Sequence, residues 1–176
     1  VFGHVGRFTP QKNHDLILDI FSVVHQKAPD STLLLAGTGP LLDEMRQKAT
    51  RLGLVDCVHF LGSREDVPRL LQGMDGFLFP SLHEGLPVTL IEAQASGLPV
   101  TAASTITSEV CVTPLVRQLS LEDSNERWAD TALEQAVQNR PVRTSPRAQI
   151  AAAGYDIRQT AGWLTNFYLG LAHPND

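Results

Sequence analysis

The stretch TLLLAGTGPLLDEMRQKATRLG, residues 32–53, decides the fold. Thr32–Ala36 is a short, unbroken apolar run, the pattern of a strand buried on both faces. Gly37–Pro40 turns the chain, and Pro40 is placed to open a helix over Leu41–Leu52. Gly53 ends that helix. A doubly buried strand that runs straight into a helix belongs to a parallel sheet built from βαβ units.

The same alternation extends in both directions. Upstream, Val1–Val5 reads as a strand. Asn13–Ala28 follows as a helix, with Leu16, Ile17, Ile20, Phe21 and Val24 at helical spacing. Pro29 and Asp30 stop it. Downstream come a strand at Val58–Leu61, a short helix at Asp66–Met74, a strand at Gly76–Pro80, a helix at Pro87–Ser96 with Gly97 as its C-cap, and a strand at Pro99–Ala102. A sixth strand is expected at Leu115–Leu119. A helix follows at Ser124–Asn139, capped by Ser124 or Asn125. Pro141–Pro146 reads as a connector, and helical sequence resumes over Arg147–Leu171 with a break at Gly154. The expected class is α/β, an open parallel sheet with helices on both faces. Such sheets bind ligands beyond the carboxyl ends of their strands. Chemistry is therefore expected in the turns Gly6–Asn13, Gly37–Pro40, Gly62–Asp66 and Pro80–Pro87.

Composition narrows the function classes. The 176 residues are 43% hydrophobic and 19% charged, which suits one globular domain and is too apolar for disorder. The net charge is −5 and no basic block occurs, so no nucleic-acid partner is expected. No apolar run approaches the roughly 20 residues of a membrane-spanning helix. Cys57 and Cys111 are too few for a disulfide framework or a zinc site and fit a reducing compartment. The chain opens on Val1 already within a strand, which reads as a piece of a longer protein.

Two turns carry candidate chemistry. In Gly6-Arg7-Phe8-Thr9-Pro10-Gln11-Lys12-Asn13, Arg7 and Lys12 flank a short loop where both can face one anion. Taken alone, the pair also reads as two solvated surface cations. In Pro80-Ser81-Leu82-His83-Glu84-Gly85-Leu86-Pro87, Pro87 suits the first helical position and Gly85 allows close backbone approach. Glu84 then stands at a helix mouth, and Glu92 lies further along an otherwise apolar helix. Two such carboxylates can grip different parts of one extended ligand; singly, they read as a dipole-stabilising acid and a surface residue. Gly37-Thr38-Gly39-Pro40 lacks the third glycine of a dinucleotide fingerprint, Leu42 standing in its place. It reads as a turn.

Three segments together carry a resemblance: GRFTPQKNH (6–14), LLLAGTGPL (33–41) with VHFLG (58–62), and PSLHEGLPVTLIEAQASGLPV (80–100). In this combination the chain resembles the C-terminal domain of the GT-B glycosyltransferases of family 4, the glycosyl transferases group 1. Glu84 and Glu92 match the family's glutamate pair with seven residues between. The resemblance covers residues 1–112 and treats the remainder as a helical tail, from about 124.

It implies a Rossmann-like domain that holds a nucleotide diphosphate sugar, a UDP-sugar being expected. Arg7 and Lys12 would neutralise the diphosphate, and Glu84 would bind donor-sugar hydroxyls; these three are the catalytic candidates. Glu92 would take the ribose hydroxyls. Backbone around Gly6, Gly85, Leu86 and Val88 would approach the phosphates and sugar, and the turn with Ser63 and Arg64 would meet the base. Pro87 cannot donate a hydrogen bond, which moves the diphosphate contact to its neighbours. His83 is expected to play a surface or packing role. No cofactor or metal is expected, since the chain holds no Asp-x-Asp motif.

The implied activity is hexose transfer with retention to a saccharide or lipid-linked acceptor, in bacterial capsule or exopolysaccharide synthesis. The acceptor would sit on an N-terminal domain outside this chain, leaving this part alone inactive. The expected location is cytoplasmic, with the full-length protein peripheral at the inner membrane face. Three alternatives stay open: a nucleotide-sugar epimerase of the same architecture, a non-catalytic nucleotide-binding module, and, weakest, an NAD-binding oxidoreductase.

Overall fold

A computed structural model describes residues 1–139 and 143–170. Strands β1 (Phe2–Val5), β2 (Leu33–Ala36), β3 (Val58–Gly62), β4 (Gly76–Phe79), β5 (Val100–Ala103) and β6 (Val116–Leu119) form one sheet. Its order is β3-β2-β1-β4-β5-β6 and all neighbours are parallel. The expected α/β class and the sixth strand are both present. Leu33 and Leu35 are fully buried on one face and Ala36 on the other, while Leu34 is half-buried, so the expected burial on both faces is complete on one of them only.

The helices are α1 (His14–Lys27), α2 (Leu42–Arg51), α3 (Val67–Gly73), α4 (Val88–Ala95), α5 (Asn125–Asn139), α6 (Arg147–Ile150) and α7 (Ile157–Tyr168). One layer contains α1 packed on α2 and α5; the other contains α4 packed on α3 and α6. Among the described residues no helix is long and apolar enough to cross a membrane.

Two prolines sit differently from the expectation. Pro87 is the residue before α4 rather than its first residue, because its ψ of 89° is not helical. Pro40 lies one step outside the Leu41 cap, whose ψ of 3° is not helical, and the Leu41 N–H donates to the Phe8 carbonyl at 3.1 Å. The break at Gly154 is present, with φ at 86°. Of the connector, Pro141 lies outside the described residues, as does Leu171 at the end of the expected last helix.

The core runs through both layers, with Phe2, Ile17, Phe21, Phe77, Phe79, Leu90 and Trp128 all buried. Each such side chain stabilises the fold by about 1.5–3 kcal/mol relative to exposure. The α5 helix is not a loose tail. It buries Trp128, Ala129, Ala132 and Ala136, and it contacts α1, β4 and β5. The Trp128 indole N–H donates to the Ser120 carbonyl at 3.0 Å, so its one polar atom is satisfied. Gln135, also buried, accepts from the Thr101 hydroxyl and donates to the Leu115 carbonyl.

Candidate functional site

The strand order reverses between β1 and β4. At such a point the crossovers leave in opposite directions and open a crevice above the carboxyl ends of the two strands. The turn after β1 and the turn after β4 therefore stand side by side, although about seventy residues separate them in sequence.

Polar bonds fix the pair of turns to each other. The Leu82 N–H donates to the Gln11 carbonyl at 2.8 Å, and the Gln11 amide donates to the His83 carbonyl at 2.8 Å. Asn13 holds a left-handed conformation, φ 53°, which asparagine tolerates better than most residues. From there its side-chain oxygen Oδ1 accepts the Leu16 N–H, capping α1, while its side-chain Nδ2 donates to the Pro80 carbonyl at 3.1 Å. One asparagine thus caps a helix and ties β1's turn to β4's.

The structure joins Lys12 and Glu84 directly. Lys12 Nζ lies 2.6 Å from Glu84 Oε1, with the two side chains 18% and 9% exposed. Gln11 donates weakly to the other carboxylate oxygen at 3.4 Å. The Lys12 ammonium also stands 5.2 Å from the centre of the Phe79 ring. Arg7 is exposed, and its guanidinium has no hydrogen-bond or ion-pair partner among the described residues. One cation of the expected pair is therefore engaged and the other is available.

The turn after β2 is a support for this loop. A Cβ on Gly37, whose φ is 143°, would lie 2.0 Å from the Gly6 carbonyl oxygen. A Cβ on Gly39 would lie 2.5 Å from the Phe8 carbonyl oxygen. Phe8 N–H also donates to Thr38 O at 2.9 Å. The two glycines let this turn press against the backbone on both sides of Arg7, so their role is close packing.

Beneath the crevice lies a buried imidazole pair. His4 and His14 are essentially inaccessible, with ring centres 4.8 Å apart. His4 Nδ1 is 2.8 Å from the Leu78 carbonyl, which can only accept, so Nδ1 carries the proton and Nε2 a lone pair. That Nε2 sits where a Cβ on Gly6 would come within 2.6 Å. His14 stacks on Phe8 at 3.9 Å. Among the described residues, the buried side-chain atoms lacking a hydrogen-bond partner are His4 Nε2, both His14 nitrogens and Ser81 Oγ. All belong to β1, the first residue of α1 or the turn after β4. Burial, and secondarily the Lys12 charge, push the His14 pKa down to about 4. Burial also lowers the His4 pKa well below the usual histidine value, aided by His14 and Lys12 and opposed by the Leu78 hydrogen bond.

Glu92 lies on the exposed side of α4, and its carboxylate has no partner among the described residues. It lines a groove of about 390 Å³ with Pro68, Leu71 and Gln72 of α3. No hydrogen bond or ion pair joins it to Lys12 or Glu84. Ser63 and Arg64 are exposed after β3, and Arg64 is held by a two-pronged pair with Asp66, both bonds 2.8 Å. That pair raises the arginine's pKa and lowers the aspartate's. Gly85, Leu86 and Val88 are exposed around the mouth of α4, and a Cβ on Gly85 would meet nothing within 4 Å. The Leu90 N–H donates to the Pro87 carbonyl, and the N–H groups of Val88 and Thr89, in the first turn of α4, have no partner among the described residues. His83 is exposed too. Among the described residues no group of three or more His, Cys, Asp or Glu is placed to hold a metal ion.

The family described as Glycosyl transferases group 1 matches residues 1–138, from β1 through most of α5. The chain belongs to the group 1 glycosyl transferases. EpsF of Bacillus subtilis (strain 168), named as a glycosyltransferase, is 40% identical over 169 residues, 96% of this chain and 44% of that protein. The Vi polysaccharide biosynthesis protein VipC/TviE of Salmonella typhi is 34% identical over 134 residues, 76% of this chain and 23% of that one. Among solved structures, Anabaena HepE in complex with UDP superposes with a TM-score of 0.67 at 24% identity, covering 92% of this chain and 48% of that one. This group 1 chain thus spans less than half the length of each of these three proteins, and the superposition shows the Rossmann-like fold expected above.

In this group 1 chain the sequence singled out Arg7, Lys12 and Glu84 and passed over Gln11, Asn13, Gly37 and Gly39, which bond or pack the turns that carry them. The asparagine had a signal, being the residue type that caps helices and tolerates positive φ. Gln11 had none.

Proposed function

We propose that this chain is the donor-binding half of a retaining glycosyltransferase that moves a hexose from a nucleotide diphosphate to a saccharide or lipid-linked acceptor. The observation that carries the proposal is the Lys12–Glu84 pair at the reversal of the strand order, the place where open α/β sheets take their ligands, with the exposed, unpartnered Arg7 in the same turn as Lys12. Arg7 and Lys12 take the diphosphate. As the bond from the anomeric carbon to the phosphate oxygen breaks, charge builds on the leaving nucleotide and the two cations stabilise it. Glu84 accepts from donor-sugar hydroxyls, with N–H groups around Gly85, Leu86 and Val88 close to the sugar and phosphate. Glu92 takes the ribose diol from the flank of α4. The turn with Ser63 and Arg64 meets the base through its backbone, and Gly6 gives the phosphates room.

The relation to HepE, solved with UDP, supports a UDP-sugar donor, and the relation to VipC/TviE supports a role in polysaccharide synthesis. The acceptor is assigned to a further domain of the whole protein, which acts at the cytoplasmic face of the membrane. This part alone binds nucleotide without turning it over, and its cations rather than a metal neutralise the diphosphate.

Calorimetry with UDP, GDP and ADP tests the reading. At least one binds at sub-millimolar concentration, and Arg7→Ala weakens it by about tenfold, as loss of a charge-assisted hydrogen bond does. No binding at millimolar concentration by the folded chain refutes it.

A further inference from the structure

The site holds a contradiction that points to how it works. Lys12 and Glu84 are bonded to each other at 2.6 Å, yet the reading above gives them different parts of the donor. A carboxylate this close to the ammonium competes with any phosphate for it. Once that phosphate arrives, the same carboxylate faces a like charge.

We infer that Lys12 and Glu84 form an exchangeable pair that discriminates between sugar-bearing and sugar-free nucleotide. This rests on the nucleotide-sugar reading and says how the same site sorts donor from product. When a nucleoside diphosphate sugar enters, its diphosphate draws Lys12 away, and the released Glu84 oxygens accept hydroxyl hydrogens of the sugar. Both broken contacts are replaced. When the sugar has been transferred, the nucleoside diphosphate still holds Lys12 but offers Glu84 nothing to accept. Glu84 then regains stability only by recovering Lys12, which weakens the hold on the product. No covalent step is involved; the carboxylate acts through differential affinity for two ligand states.

The surroundings suit such an exchange. The pair is partly buried, so its attraction is less screened than that of a surface pair. The Gln11 amide already donates to the second Glu84 oxygen and to the His83 carbonyl, so the carboxylate keeps a donor when the lysine leaves. Lys12 has other neighbours along its stem, with Phe79 under the ammonium and Gly6 beside its Cδ. The lysine can therefore shift its head group without uncovering the core.

The test is a binding cycle by calorimetry with UDP, with inorganic pyrophosphate as a base-free probe and uridine as a phosphate-free control. Glu84→Gln is expected to bind UDP and pyrophosphate more tightly than wild type, by roughly fivefold to thirtyfold, with uridine unchanged. In a Lys12→Met background the same substitution is expected to tighten binding clearly less, because the competition for the lysine is gone and only the like-charge repulsion remains to be relieved. Should Glu84→Gln fail to fold, Glu84→Ala carries the same expectation. Unchanged or weaker UDP binding by the folded Glu84 variant overturns the exchange while leaving the nucleotide site standing; that result means Lys12 bridges carboxylate and phosphate together. Absence of any binding by wild type to UDP, GDP and ADP removes both proposals.

Discussion

Lowering the pH from 7 to 5 is expected to cost this fold about 2 kcal/mol through His14 alone. In the unfolded chain a histidine titrates near 6.5. In the folded chain, burial and the Lys12 charge push His14 down to about 4. Between those values the unfolded state holds a proton that the folded state refuses, so stability falls with falling pH. The loss begins as pH drops through about 6.5. It reaches about 2 kcal/mol at pH 5 and levels off near 3 kcal/mol below pH 4, at 1.36 kcal/mol per pKa unit. His4, lowered by burial and by His14, adds in the same direction. The carboxylates of Asp66, paired with Arg64, and of Glu134, which accepts from the Arg117 guanidinium at 2.6 Å, are held below their ordinary values by those arginines and lose their pairings only at lower pH than this window. Urea unfolding at both pH values measures the effect, and with a slope of roughly 2 kcal/mol per molar the wild-type midpoint drops by about 1 M. His14→Leu removes the titrating group while retaining an apolar body against Phe8. Its midpoint is expected to move less between the two pH values. If wild type and variant share one pH dependence, the buried imidazole pair is not the source and the reasoning fails.

Two further substitutions test the scaffold. Gly37→Ala places a methyl 2.0 Å from the Gly6 carbonyl oxygen at a φ of 143°, and should destabilise by about 2–4 kcal/mol, read from chemical denaturation. Gln94→Leu leaves the Thr113 N–H and hydroxyl and the Val110 carbonyl without the buried amide that now serves them. About 2 kcal/mol of stability should go, while UDP binding to the folded fraction stays unchanged.

The elements were legible because their signals are local. The run at 32–36 states its own burial, and Gly53, Gly97 and Gly154 end helices wherever the chain folds. Arg7, Lys12 and Glu84 stood out as charged residues in strand-to-helix turns. What stayed hidden depends on which strands become neighbours. No residue near Lys12 announces that β4 will lie beside β1, yet that adjacency makes the Lys12–Glu84 bond and gives Gln11 and Asn13 their second partners. The Gly37-Thr38-Gly39 turn was recognised as unlike a dinucleotide loop. Its use, pressing on the backbone around Arg7, needed coordinates. His4 and His14 fell inside an expected strand and helix without comment. A histidine in an apolar strand is a visible oddity, but its pairing with a second histidine from another element is not.

The placement of α5 has a consequence for how this protein is made. The sheet's inner strands, β4 and β5, leave the ribosome well before the helix that covers them, and Trp128 and Ala132 can shield them only when the chain has grown past them. A nascent chain ending anywhere between β5 and α5 displays an apolar sheet face to its surroundings. Synthesis of this domain therefore passes through an interval in which the sheet is made but its cover is not.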